Sequence, residues 1–197
     1  DLNLSPHIAV LLNLFPEHLD YYSSLEAYIA AKANITRHQT PQDILIYNAA
    51  DPVVLKIAAA SLAQKYPFHM DPNHFLPSVN VAIIIGRLFN IPEAKVNSLM
   101  STFTPLPHRL ESIGTFAGIT FINDSLATIP QATVHAINVT GDKLTTLISG
   151  GFDRGVNYQP LSDAIAKSSI KTLILLPTTG EKIRRSLPSG LNINVIS

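Results

Sequence analysis

The sequence has no cysteine, no tryptophan and only 2 methionines among its 197 residues. Without cysteine there is no disulfide, no thiolate metal site and no thiol nucleophile. Such a composition is compatible with a reducing, cytoplasmic compartment. Charge is scarce too: Lys plus Arg number 14, Asp plus Glu number 14, and the formal net charge is zero. No basic stripe marks a nucleic-acid surface, and no cationic cluster marks an anionic membrane. Long hydrophobic runs are also missing. Stretches such as Val81-Ala82-Ile83-Ile84-Ile85 are far too short to span a bilayer, so no membrane insertion is expected. The opening residues, Asp1-Leu2-Asn3-Leu4-Ser5-Pro6, contain no basic region, no signal-like apolar run and no initiator Met.

What is present is a composition that can build a core: 46% of the residues are hydrophobic. The length suits one large domain or two small ones. Apolar runs alternate with helical patterns. Ile8 to Leu14 reads as a buried strand, with a helix from Ser23 or Ser24 to about Arg37 and a second strand over Asp43 to Asn48. Asp51-Pro52 opens a helix predicted to reach about Lys65, and Phe68 to Met70 reads as a short strand. Helices are expected over Val79 to Phe89 and Pro92 to Met100. Phe103-Thr104-Pro105-Leu106-Pro107 resists helix and reads as a stiff linker, which divides the chain into 1–103 and 104–197. Beyond it come two short strands about Ala117-Gly118, then alternating helices and strands to Ile196. This alternation predicts an α/β fold with a mostly parallel sheet.

Several polar residues sit where such a fold gathers ligands, after the carboxyl ends of strands. Glu17, His18 and Asp20 follow the first strand, where His18 suits a metal or a phosphate, or simply a solvated polar loop. Lys32 lies on the next helix, where a lysine is ordinarily a surface residue with its stem laid along apolar neighbours. Arg109 follows the linker and can hold a phosphate with two parallel hydrogen bonds. Asp124 follows a strand, where it can accept from ribose hydroxyls or cap a turn through Ser125. Asn80 opens a mostly buried helix, and Gly150-Gly151-Phe152-Asp153-Arg154-Gly155 forms a glycine-rich turn. The turn lacks G-x-G-x-x-G spacing, so a dinucleotide fingerprint is not supported.

Taken together, Leu106 to Glu111, Phe121 to Thr128 and Ile148 to Gly155 resemble the C-terminal domain of the Mur ligases, most nearly the members that add D-glutamate. The resemblance implies part of the central ATPase domain over 1–103, followed by a Rossmann-like C-terminal domain over 104–197, incomplete at its end. It implies ATP and Mg²⁺ as cofactors, with UDP-N-acetylmuramoyl-L-alanine and glutamate as substrates and a monomeric parent enzyme. His18 and a carbamylated Lys32, in a Y-x-x-A-K pattern, would be catalytic metal ligands. A buried lysine with a depressed pKa would favour that modification. Asn80, Arg109 and Asp124 would contact ATP. Thr128 and Arg154 would hold the incoming amino acid. Leu126 stands where the family's N-D-S-K-A-T motif has Lys, and Arg154 where its G-G-x-D-K-G turn has Lys. Leu76 and Pro77 replace the His and first Asn of an H-N-x-x-N motif. No G-x-x-G-K-[ST] phosphate loop occurs, so the chain alone is expected to have negligible ligase activity. The alternatives at this point are L-glutamate or another acidic amino acid as substrate, or a non-catalytic α/β module that binds a nucleotide or a partner.

Overall fold

The computed structural model describes residues 3–18, 21–70 and 79–197. Its contacts divide the chain into two compact units, Asp1–Phe103 and Thr104–Ser197.

In the first unit, β1 (Ile8–Leu11), β2 (Ile44–Asn48) and β3 (Gln64–Phe68) form a parallel sheet in the order β1-β2-β3. Ile8 pairs with Ile44, and Ile44 with Gln64. Alternation along each strand sends side chains to both faces. Ala9, Leu11 and Leu45 pack on one side with Val54, Ile57 and Ala58 of α2 (Pro52–Ala60), joined by Ile29 and Ala33 of α1 (Leu25–Arg37). Ile46 and Phe68 pack on the other side with Val81 of α3 (Val79–Leu88). Both faces are therefore covered, as continuous apolar strands require. The helix α4 (Glu93–Ser101) crosses α3 so closely that a Cβ on Gly86 would lie 2.6 Å from Val96 Cγ2.

Local chemistry sets the helix ends. Ser24 Oγ accepts from the Ala27 amide at 3.2 Å, capping α1. Asp51 Oδ1 accepts from the Val53 and Val54 amides at 2.8 and 3.0 Å, with Pro52 in the first turn of α2. The α2 helix stops at Ala60, short of the predicted Lys65. Buried Ser61 turns extended (φ −73°, ψ 145°), donates to Gln39 Oε1 and accepts from the Ala63 amide. The next strand accordingly begins at Gln64, upstream of the expected Phe68. Pro67 is tolerated because β3 is an edge of this sheet.

In the second unit, β4 (Glu111–Phe116) and β5 (Ile119–Asn123) form an antiparallel hairpin. Its turn residues, Ala117 (φ 50°) and Gly118 (φ 79°), both take the left-handed conformation that matches strand twist. Then α5 (Pro130–Thr140), β6 (Thr146–Gly151), α6 (Gln159–Lys167), β7 (Thr172–Thr178), α7 (Thr179–Ser186) and β8 (Asn194–Ile196) build a parallel sheet ordered β6-β7-β8. The three helices pack Ile137, Leu161, Ile165 and Ile183 on Leu173 and Leu175. The opposite face leaves Ile148, Leu176 and Ile196 exposed.

Candidate functional site

In the first unit, the chain leaving β1 is tied down before it reaches the polar loop. Asp51, already capping α2, accepts from the Leu14 amide through Oδ2 at 2.9 Å. His18 has a left-handed backbone (φ 57°), and its carbonyl accepts from the Tyr21 and Tyr22 amides at 3.0 and 2.9 Å. Its Nε2 lies 3.8 Å from Glu17 Oε2. The organising side chain is buried Tyr28 on α1. Its ring centroid is 6.4 Å from that of His18 and 5.4 Å from that of Tyr22, and Lys32 Nζ sits 5.5 Å from it. Burial, reinforced by the charge of Glu17, pushes the Tyr28 phenol above its ordinary pKa. His18 and Lys32 thus both lie against one aromatic ring. Lys32 is exposed, where burial was expected of it. Among the described residues no three His, Asp or Glu side chains cluster as a metal cage would. Asp20, Leu76 and Pro77 lie outside the described residues. On α3, Asn80 donates through Nδ2 to the His69 carbonyl at 2.9 Å, so half of its amide serves the backbone.

In the second unit, Arg109 and Asp124 flank the base of the β4-β5 hairpin. Asp124 Oδ1 accepts from the Leu110 amide at 3.0 Å. Its carboxyl is half-buried. Burial raises its pKa, and the Leu110 hydrogen bond and the positive charges of Arg109 and His135 oppose that rise. Downstream, Asn123 Oδ1 accepts from the Ser125 amide at 3.1 Å, and the Asp124 carbonyl from the Ala127 amide at 2.8 Å. These turns carry exposed Thr128 just before α5.

The carboxyl end of β6 is shaped by Gly150 (φ 134°) and Gly151 (φ 120°). A Cβ on Gly150 would lie 2.6 Å from the Leu176 carbonyl oxygen, so only glycine fits there. The loop beyond is gathered by Asp153. It accepts from the Gly155 amide at 3.0 Å and from Tyr158 Oη at 3.5 Å, and it pairs with Lys182 of α7. That pairing lowers the pKa of Asp153 and raises that of Lys182. Arg154 projects next to this hub, its guanidinium 6.0 Å from the Phe152 ring centroid. Thr178, at the end of β7, holds φ 73°. In this unit an open cation, a half-buried carboxylate, a threonine and a tethered arginine lie at strand ends, as an anionic ligand would need.

The Mur ligase middle domain profile matches residues 1–79. UDP-N-acetylmuramoylalanine--D-glutamate ligase of Geobacillus kaustophilus is 33% identical over 210 residues, an alignment covering 91% of this chain and 46% of the relative. The enzyme of the same name from Thermus thermophilus is 31% identical, over 98% of this chain and 47% of its own. The chain belongs to the Mur ligases. It spans about half the length of the curated relatives it matches. Its fold is also that of a solved Mur ligase: the structure of MurF from Acinetobacter baumannii superposes with a TM-score of 0.76 at 17% identity, covering 98% of this chain and 51% of that one.

Within this Mur ligase chain, the structure adds residues that motif reading passed over. Tyr28 was visible only as the first letter of the Y-x-x-A-K pattern, yet it is what His18 and Lys32 share. Glu111 and Lys182 act across turns and elements, on His108 and Asp153 respectively, and no spacing rule in the sequence signals either. Leu126 is exposed and supplies no charge.

Proposed function

We propose that this chain is the nucleotide- and amino-acid-binding part of a ligase that joins D-glutamate to UDP-N-acetylmuramoyl-L-alanine with ATP, in the cytoplasm, on the way to peptidoglycan. The observation that carries the reading is the 33% identity to an enzyme of that name across 91% of the chain. The placement of Arg109 and Asp124 at the base of the β4-β5 hairpin supports it.

In this reading the substrate carboxylate oxygen attacks the γ-phosphorus of ATP and ADP departs. The glutamate amine then attacks the acyl carbon of the resulting acyl phosphate, and inorganic phosphate leaves from the tetrahedral intermediate. Little covalent chemistry falls to the protein, whose work is positioning and charge neutralisation. Arg109 meets phosphate oxygens as a fixed cation. Asp124 offers its second oxygen to ribose hydroxyls. Thr128 and Arg154 take the carboxylates of glutamate, Arg154 with a forked donor. Asn80, on α3 of the first unit, is a separate candidate for nucleotide contact.

Mg²⁺ fits the donors around Tyr28 in kind. Such an ion needs only one or two protein ligands, because substrate phosphates and water complete its shell. His18 would supply a nitrogen, and Lys32, carbamylated by carbon dioxide with loss of a proton, an oxygen. When bound, the ion would neutralise phosphoryl oxygens.

The test is an NMR titration of the ¹⁵N-labelled chain. ATP with Mg²⁺ should shift the amides of residues 108–110 and 124. D-glutamate should shift those of 128 and 154, and L-glutamate should leave them in place. Arg109→Ala should lose the ATP response. Equal responses to the two enantiomers would overturn the substrate assignment, and an ATP response surviving Arg109→Ala would overturn the nucleotide assignment.

A further inference from the structure

The backbone on both sides of Arg109 is left-handed. His108 has φ 65° and Leu110 has φ 47°. Histidine visits this region at some cost, and leucine rarely does, because Cβ crowds the neighbouring carbonyl. Two such residues separated by one are kept only where the surroundings impose them.

Here the surroundings are the hairpin. Glu111 Oε2 accepts from the His108 amide at 2.8 Å, and Asp124 Oδ1 accepts from the Leu110 amide at 3.0 Å. The His108 carbonyl accepts from the Leu126 amide at 3.2 Å, and the His108 ring Nδ1 lies 2.7 Å from Asn123 Nδ2. Both neighbours of Arg109 are thus clamped by groups from β4, β5 and the turn after β5. Arg109 itself is exposed, and its guanidinium makes no hydrogen bond or salt bridge with a described residue. The backbone is fixed while the cation is left open.

We propose that Glu111 is a positioning residue for nucleotide binding: by capping the His108 amide it holds the left-handed pair that aims Arg109 at a phosphate. The proposal rests on the assignment of Arg109 to the nucleotide made above. It separates Glu111 from the ligand itself, since its carboxylate is committed to the backbone. Fixing the backbone in this way removes the main-chain share of the ordering cost that binding would otherwise meet.

The experiment uses the ¹⁵N,¹³C-labelled 197-residue chain as wild type, Glu111→Ala, Glu111→Gln, Arg109→Ala and the Glu111→Ala/Arg109→Ala double variant. Backbone shifts and couplings at residues 108 and 110 report the sign of φ, and titration with MgATP reports affinity. Glu111→Ala should lose the left-handed signature at His108 and weaken MgATP binding about ten- to 100-fold, the range expected for one lost hydrogen bond to a charged group. Glu111→Gln, which keeps a carbonyl acceptor, should restore both. In the Arg109→Ala background, Glu111→Ala should weaken binding no further. A left-handed His108 persisting in Glu111→Ala would overturn the proposal, as would an equal loss of affinity with and without Arg109. If wild type and Arg109→Ala respond alike to MgATP, the nucleotide assignment of Arg109 fails. The clamp on its backbone is then still judged by the sign of φ.

Discussion

At the scale of single residues, the most instructive group is Asp124. Its folded pKa is raised by burial, so the native chain binds this proton more readily than the unfolded one. Stability therefore falls as pH rises from the ordinary aspartate value of 3.8 through the raised folded value, and the penalty persists at neutral pH. Asp124→Asn removes the charge but keeps an oxygen for the Leu110 amide. It should melt a few degrees higher than wild type at pH 7 at most, since a half-exposed charge is worth about 0–1 kcal/mol. The difference should vanish below the ordinary value, and nucleotide binding should drop. Thermal melts across pH check the first part. A variant less stable than wild type at neutral pH would show that the carboxylate is held by more than the Leu110 amide. Stability given up at a group proposed to meet the nucleotide is the expected trade.

At the scale of elements, much was legible. The cap at Ser24, the Asp51-Pro52 opening of α2 and the apolar runs of β1 and β2 are local signals, and the structure places elements there. Where the reading failed, a non-local contact decided. Ser61 ends α2 because buried Gln39, 22 residues away, gives its hydroxyl a partner. β3 carries Gln, Lys and Pro rather than an apolar run, and it is a strand only because β2 offers it a ladder. The same holds for the candidate site. His18 and Asp124 were readable as residue types after strands and Arg109 as one after the linker, whereas the clamp around Arg109 depends on a hairpin register that no short motif encodes. One local signal can be measured directly. Ser24→Ala removes the acceptor for the Ala27 amide and should cost about 1 kcal/mol in urea unfolding, with an unchanged m-value. Ser24→Thr should retain most of it.

At the scale of the whole chain, each unit carries its own core. Leu45, Ile46 and Val54 are fully buried in the first, and Leu161, Ile165 and Leu173 in the second. Units with separate cores fold as domains. Residues 1–103 and 104–197 expressed apart should each melt cooperatively, and a piece that stayed unfolded would show that its core does not suffice. The open side of the β6-β7-β8 sheet has a practical outcome of its own. Ile148 is 61% exposed, Leu176 44% and Ile196 48%, so greasy area remains wet in the native state. An environment-sensitive dye such as ANS should therefore glow with the folded 197-residue chain at room temperature. Kosmotropic salts, which strengthen the tendency of such area to leave water, should salt the chain out early.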